Sequence, residues 1–204
     1  MNDILSNKKL QKVFYKREVT IVAQNLLGKI LVKNEKKSAL AGKIIEVEAY
    51  NGDFDEAAHS FKGKTKRTEI MFNEGGYLYV YFTYGAHFCC NVVTGKKEQG
   101  TAVLIRAVEP LVGLDKMIKN RFRRNLKNEK EILNLTSGPG KVCKAFNINL
   151  SCSGLSLLGD RIFILDSKKL DEKDIGISKR IGITRSVDLP WRFFIKDNPF
   201  LSRK

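Results

Sequence analysis

The sequence predicts an α+β fold with a mainly antiparallel sheet. Three observations carry that prediction. Strand-like runs outnumber helical ones, the runs are rich in β-branched and aromatic residues, and the connections between successive runs are short enough for hairpins.

The elements follow in order. The segment up to about Asn25 mixes charged and apolar residues, and a helix there is expected to end near Gly28. Strands are expected at 29–32 (KILV), 43–50 (KIIEVEAY), 77–84 (YLYVYFTY), 87–93 (HFCCNVV) and 101–108 (TAVLIRAV), each bounded by Gly, Asn or charged clusters. The period then changes. Pro110 can open a helix, and Leu111, Leu114, Ile118 and Phe122 recur at three- and four-residue spacing. Another helix is expected to begin near Pro139 and Gly140, and 161–166 (RIFILD) and 191–197 (WRFFIKD) again read as strands. No repeat or Pro/Gly linker divides the 204 residues, so one domain over 1–204 is expected.

Composition narrows the function. With 43% hydrophobic residues the chain can bury a core, while 37 Lys+Arg against 22 Asp+Glu leave a net charge of +15. Nucleic acid is the first partner that such a charge suggests, ahead of anionic membranes or small polyanions. Nine of the basic residues fall within 114–144 against three acidic ones, a density that suits a phosphate-tracking surface and equally a solvated helix face. The longest strictly aliphatic stretch, Ala102–Ile105, is far below the ~18 residues of a membrane span. The N-terminal MNDILSNKKL lacks the apolar run of a signal peptide. Cys89 and Cys90 are adjacent, Cys143 and Cys152 stand apart, and no C-x-x-C occurs. Buried free thiols in a reducing, cytoplasmic compartment are therefore expected, with no metal or other cofactor.

Several residues stand out against their surroundings. Glu46 and Glu48 lie two apart on one strand and so share a face; a carboxylate dyad and an exposed strand face both fit. Arg106 sits within an apolar run and, if buried, needs an acidic or phosphate partner, for which Glu48 is a candidate. Tyr50 and His59 bracket the acidic loop NGDFDEAA. Four of the six tyrosines fall within 77–84, where alternation puts Tyr77, Tyr79 and Tyr81 on one face; Tyr77 and Tyr79 read best as sheet packing. Gly85 permits a reversal, so Tyr84 lies near a hairpin tip, where an aromatic could wedge between base pairs. The run TSGPGKVC places Lys141 beside a helix N-terminus, which reads as an anion site or as a plain cap.

Taken together, EVEAYNGDFDEAAHS, GGYLYVYFTYGAHFCCNVV, AVLIRAVEP, SGPGKVCKAF, RIGI and RFFIKDNP resemble the alkyladenine (3-methyladenine) DNA glycosylase family, across roughly 43–199. The resemblance implies a curved, mainly antiparallel sheet with a protruding hairpin and surrounding helices. It also implies an enzyme that flips alkylated or deaminated purines from double-stranded DNA and hydrolyses the N-glycosidic bond, without lyase chemistry, metal or cofactor. By that resemblance Glu48 is the base that activates water, Arg106 helps hold the water, and the Ile183 main chain completes its coordination. Tyr50, His59 and Tyr81 form the aromatic pocket, Asn91 excludes guanine's exocyclic amine, and Tyr84 is the wedge. Lys64, Arg67 and Lys141 become candidates for DNA phosphates, and Glu46 becomes a supporting residue instead of half a dyad. A monomer associated with the nucleoid is expected. The competing readings are a non-catalytic nucleic-acid binder and a two-carboxylate glycoside hydrolase. Glu48 argues against the first, and the charge and the hairpin tyrosine argue against the second.

Overall fold

A computed structural model describes residues 4–35, 38–83 and 85–203. Two helices, α1 (Lys12–Tyr15) and α2 (Val19–Leu26), precede β1 (Ile30–Asn34) and the long β2 (Ala39–Asn51). Then come β3 (Leu78–Thr83), β4 (His87–Thr94) and β5 (Thr101–Val112), followed by α3 (Leu114–Phe122), α4 (Lys130–Leu133) and α5 (Pro139–Ala145). Three short strands close the chain: β6 (Ile162–Leu165), β7 (Ile175–Ser178) and β8 (Arg192–Ile195). The strands form one eight-stranded sheet in the order β3-β4-β5-β2-β1-β6, with β8 pairing both β2 and β7. Every pairing is antiparallel, so the expected α+β class with an antiparallel sheet is observed.

The helix near the start ends as anticipated. Glu18 caps α2 by accepting from the Thr20 and Ile21 amides at 2.8 and 3.0 Å, and Gly28 beyond its end takes the left-handed φ of +82° that suits glycine. Pro139 is the first residue of α5, again as expected. The helix expected from Pro110 is corrected. There β5 runs on to Val112, and α3 starts only at Leu114, after Gly113 turns the chain at φ +80°. Pro110 sits opposite Gly42, beyond the part of β5 that pairs with β4, so its missing N–H interrupts no ladder on that side. Leu111 packs with Val112 against Ile30, Val32 and Phe163, not on the helix. β7 was not anticipated, since IGIS is short and sits among charges.

β2 organises the sheet. One edge pairs with β5 along nearly its whole length. The other pairs with β1 up to Lys43 and then with β8 over Glu46–Glu48. At that change of partner the β2–β5 register slips twice, leaving Ile45 on β2 and Arg106 on β5 without an opposite residue. Such bulges bend a strand and re-aim side chains.

Alternation then separates two faces. On one, Val47, Ala49, Leu78, Val80, Cys90, Val92, Val103 and Ile105 enter the main core with Val22 and Leu26 of α2 and Val142 and Cys143 of α5. The other face carries Glu46, Glu48, Tyr50, Tyr79, Tyr81, Asn91 and Arg106. All four cysteines are free and buried, as expected.

Candidate active site

The second face of the sheet opens into a cavity of about 500 Å³. Its sheet-borne lining is Tyr50, Tyr79, Tyr81, Thr83, Cys89, Asn91, Leu104 and Arg106. Two connections close over it: the loop after β2 contributes His59, and the segment between β7 and β8 contributes Ile181 to Arg185. The Pro139 end of α5 completes the rim.

Charge is concentrated beneath the floor. Glu46 and Glu48 are wholly buried, which excludes the exposed-strand reading. The bulged Arg106 reaches both, with Nε 3.0 Å from Glu46 Oε1 and Nη1 3.1 Å from Glu48 Oε2. Glu48 also accepts from the Tyr50 hydroxyl at 2.9 Å and from the Ile181 amide at 2.7 Å. Glu46 is tied differently, by Arg192 Nε at 2.9 Å and by the amide and hydroxyl of Ser202, both at 2.6 Å. Burial alone would raise the Glu46 carboxyl, but the hydrogen bonds from Ser202 and Arg192 outweigh it and hold its pKa below the usual range. Burial likewise opposes the charge of Arg106, which Glu48 and Glu46 more than restore. Glu46 thus serves a structural ion cluster. Of the two, Glu48 alone also meets Tyr50 and the Ile181 amide, both from the cavity lining.

The walls next to the sheet are largely aromatic, and at the rim Arg185 pairs with Glu56 at 2.8 Å. The Tyr79 and Tyr81 rings stack with centroids 5.6 Å apart, and His59 meets Tyr81 edge-on at 4.4 Å. His59 Nδ1 lies 3.1 Å from the Tyr79 hydroxyl. Burial and the nearby Arg67 guanidinium push the His59 pKa down to about 4, so the imidazole is neutral at pH 7 although the residue keeps an exposed edge. Burial raises the phenols of Tyr50, Tyr79 and Tyr81, which therefore stay protonated. It also pushes the Cys89 thiol up to about 11. Asn91 is buried on β4 opposite Tyr79, and its Nδ2 donates to the Tyr79 carbonyl at 3.3 Å.

The fold therefore brings Arg106, Tyr50, His59, Tyr81 and Asn91 to one cavity, with Glu48 buried directly behind Tyr50, Arg106 and Ile181 of its lining. Arg67 lies at its exposed side, its guanidinium 5.6 Å from the Tyr81 ring centroid. Lys141 stands apart from the lining, with its ammonium donating to Asn134 Oδ1 and Ser137 Oγ. Lys64 faces Glu98 at 3.6 Å. Tyr84 lies outside the described residues. Ile183 lines the cavity, while the main-chain group that meets the Glu48 carboxylate is the amide of Ile181. Among the described residues no three His, Cys, Asp or Glu side chains are grouped to hold a metal.

Two features escaped sequence reasoning. Tyr79, read as sheet packing, lines the cavity and holds His59. Arg180 and Asp55, far apart in sequence, form a fully buried bidentate pair at 2.5 and 2.8 Å. The same guanidinium donates to the carbonyls of Ala49 and Ser186 and lies 4.6 Å from the Tyr50 ring centroid. It thus ties both covering loops to the end of β2 and fixes Ile181, its chain neighbour. The signal available was Asp55 in the acidic NGDFDEAA loop and Arg180 at the head of RIGI, opposite charges in two loops.

The arrangement can hold a flat, electron-poor ring against neutral aromatics with a buried carboxylate beneath the cavity. Comparison with known proteins identifies the family. The profile of the family described as "Methylpurine-DNA glycosylase (MPG)" matches residues 13–199. Relatives from Clostridium novyi (strain NT) and Alkaliphilus oremlandii (strain OhILAs) are 47% and 46% identical, with 97% and 96% of this chain and 100% of each relative aligned. One from Carboxydothermus hydrogenoformans is 46% identical over 96% of this chain and 99% of its own. All three bear the name "Putative 3-methyladenine DNA glycosylase".

Proposed function

Because the chain belongs to the methylpurine-DNA glycosylase family, and is thereby a DNA-repair hydrolase, we propose that it excises alkylated or deaminated purines, 3-methyladenine among them, with a water activated by Glu48. The damaged nucleotide leaves the stack and its base enters the cavity between Tyr50 and the His59–Tyr81 wall. Extrusion costs a few kcal/mol, and less for a damaged or mispaired base, which itself favours the substrate. Alkylation at N3 or N7 makes a purine cationic. Aromatic faces attract such a ring by ~0.5–2 kcal/mol, and a neutral His59 adds no repulsion.

The observation that carries the reading is the Glu48 carboxylate, buried beneath the cavity on three donors, Tyr50, Ile181 and Arg106, that themselves line it. A carboxylate offers about four acceptor positions. Tyr50 and Arg106 use Oε2 and Ile181 uses Oε1, so Oε1 has capacity for one more donor, which a water supplies. That water attacks C1′ as its proton passes to Glu48. The C1′–N bond breaks with its electron pair going to the base, which for a cationic purine leaves neutral. The products are the free base and an abasic site. Arg106 holds the carboxylate in place, and Asn91 guards the cavity against an exocyclic 2-amino group.

Arg67 and Lys141 as phosphate contacts, and Tyr84 as the wedge, belong to the same proposal. So does a monomer working as one catalytic unit on nucleoid DNA in the cytoplasm. No helix among the described residues is long and apolar enough to cross a membrane. The test is a panel of duplexes carrying 3-methyladenine, 7-methylguanine, hypoxanthine or ethenoadenine, assayed with and without chelator. Released free base and strand scission only after alkali are expected; scission without alkali, or a borohydride-trapped protein–DNA adduct, contradicts the monofunctional mechanism.

A further inference from the structure

We propose that a second concavity, on the other side of the β3–β4 hairpin, grips the phosphodiester backbone of the duplex beside the lesion; the assignment rests on the glycosylase reading and extends it. This cleft, about 580 Å³, lies between the start of β4 and the helices α3 and α5. Lys119, Arg123 and Lys144 line it together with His87, Asn147 and Gly140, and no Asp or Glu is among its described lining residues.

Three features point to a polyanion. First, the cations have no counter-charge: the side chains of Lys119, Arg123 and Lys144 are exposed and make no ion pair or hydrogen bond among the described residues. Some other basic residues of the chain are paired with acids. Arg124 is clamped by Glu131 at 2.6 and 2.9 Å, and Lys12 and Lys16 share Glu74. Second, Lys119 and Arg123 stand at the C-terminal end of α3 and Lys144 in the last turn of α5, where helix dipoles lower the cost of gathering cations without an acid. Third, the cleft adjoins the catalytic cavity. Pro139 lines the cavity and Gly140 lines the cleft, and α5 approaches the hairpin so closely there that a Cβ on Gly140 would lie 3.0 Å from His87 Cβ. A duplex seated over the cavity mouth and straddling the hairpin therefore carries a backbone past Lys119, Arg123 and Lys144. Such contacts set affinity and register, with no part in the bond-breaking step.

The test compares wild type with a Lys119→Ala/Arg123→Ala/Lys144→Ala variant, using fluorescence anisotropy on undamaged duplex across a salt series. Each lost phosphate contact removes about 0.9 from the slope of log K against log salt, so a fall of up to about 2.7 is expected. The single-turnover rate of base release at saturating protein should stay at the wild-type value. A Lys8→Ala/Lys168→Ala/Lys169→Ala variant removes the same charge beside β6, at the opposite edge of the sheet, and controls for the general field. A slope lowered no further than in that control overturns the proposal, as does slower release at saturation. If wild type releases no base, the glycosylase reading fails, while the slopes still judge the cleft.

Discussion

His59 is the side chain whose protonation state matters most to a cationic guest, because it forms one wall of the cavity. Its pKa of about 4 lies below the unfolded value, so the unfolded chain binds a proton that the folded ring refuses. Stability should therefore fall as pH drops from about 6.5 to about 4. A His59→Asn variant should lose less than wild type over that window in thermal melts; parallel curves would show that the ring titrates normally. Glu46 has the same sign through a different cause. Its carboxyl is held low, so its contribution is present above the unfolded carboxylate range and is lost as pH falls through the lower folded value. At the proposed specificity position, Asn91→Ala is expected to raise release of 7-methylguanine relative to hypoxanthine by about tenfold, the scale on which a small steric or polar change discriminates. An unchanged ratio would remove Asn91 as the guard. The Glu48–Arg106 pair was legible from sequence because charges inside apolar strands need partners. Tyr79 was not, because alternation groups it with Tyr81 without revealing that loops enclose a cavity over that face.

Among the elements, the strands were legible because β-branched and aromatic runs between Gly, Asn and charge have few other solutions. The irregularities within them were not. Skipping Ile45 and Arg106 in the β2–β5 register needs the tertiary pairing with β8, which no local pattern encodes. The bulge nevertheless aims one guanidinium at two carboxylates. Pro110 misled for a related reason: a proline that can start a helix can equally end a strand where one edge has no strand partner. The covering loops depend on the Arg180–Asp55 pair. Removing one partner of a buried pair costs roughly 3–5 kcal/mol, so Asp55→Asn should destabilise strongly in urea unfolding and should also loosen Ile181 from Glu48. A loss below about 1 kcal/mol would mean that the loops are held by other contacts. That pair was invisible in sequence because two loop charges 125 residues apart read as solvated.

For the whole molecule, the net charge of +15 pointed to a polyanion before any fold was known, and the fold divides the labour. Unpaired cations gather outside the cavity, whereas inside it the charged groups neutralise one another and the aromatic walls are neutral. Affinity for undamaged duplex should consequently fall steeply between low and physiological salt, while the rate of base release from bound substrate changes little. The most direct test of the central claim, that Glu48 activates the hydrolytic water, is single-turnover release of hypoxanthine or 3-methyladenine by Glu48→Gln. The amide keeps the size and most of the contacts of the carboxylate but cannot take the proton. Loss of release by at least about a hundredfold, the general-base contribution, with damaged-duplex binding retained, is the predicted result. Release at the wild-type rate would contradict it.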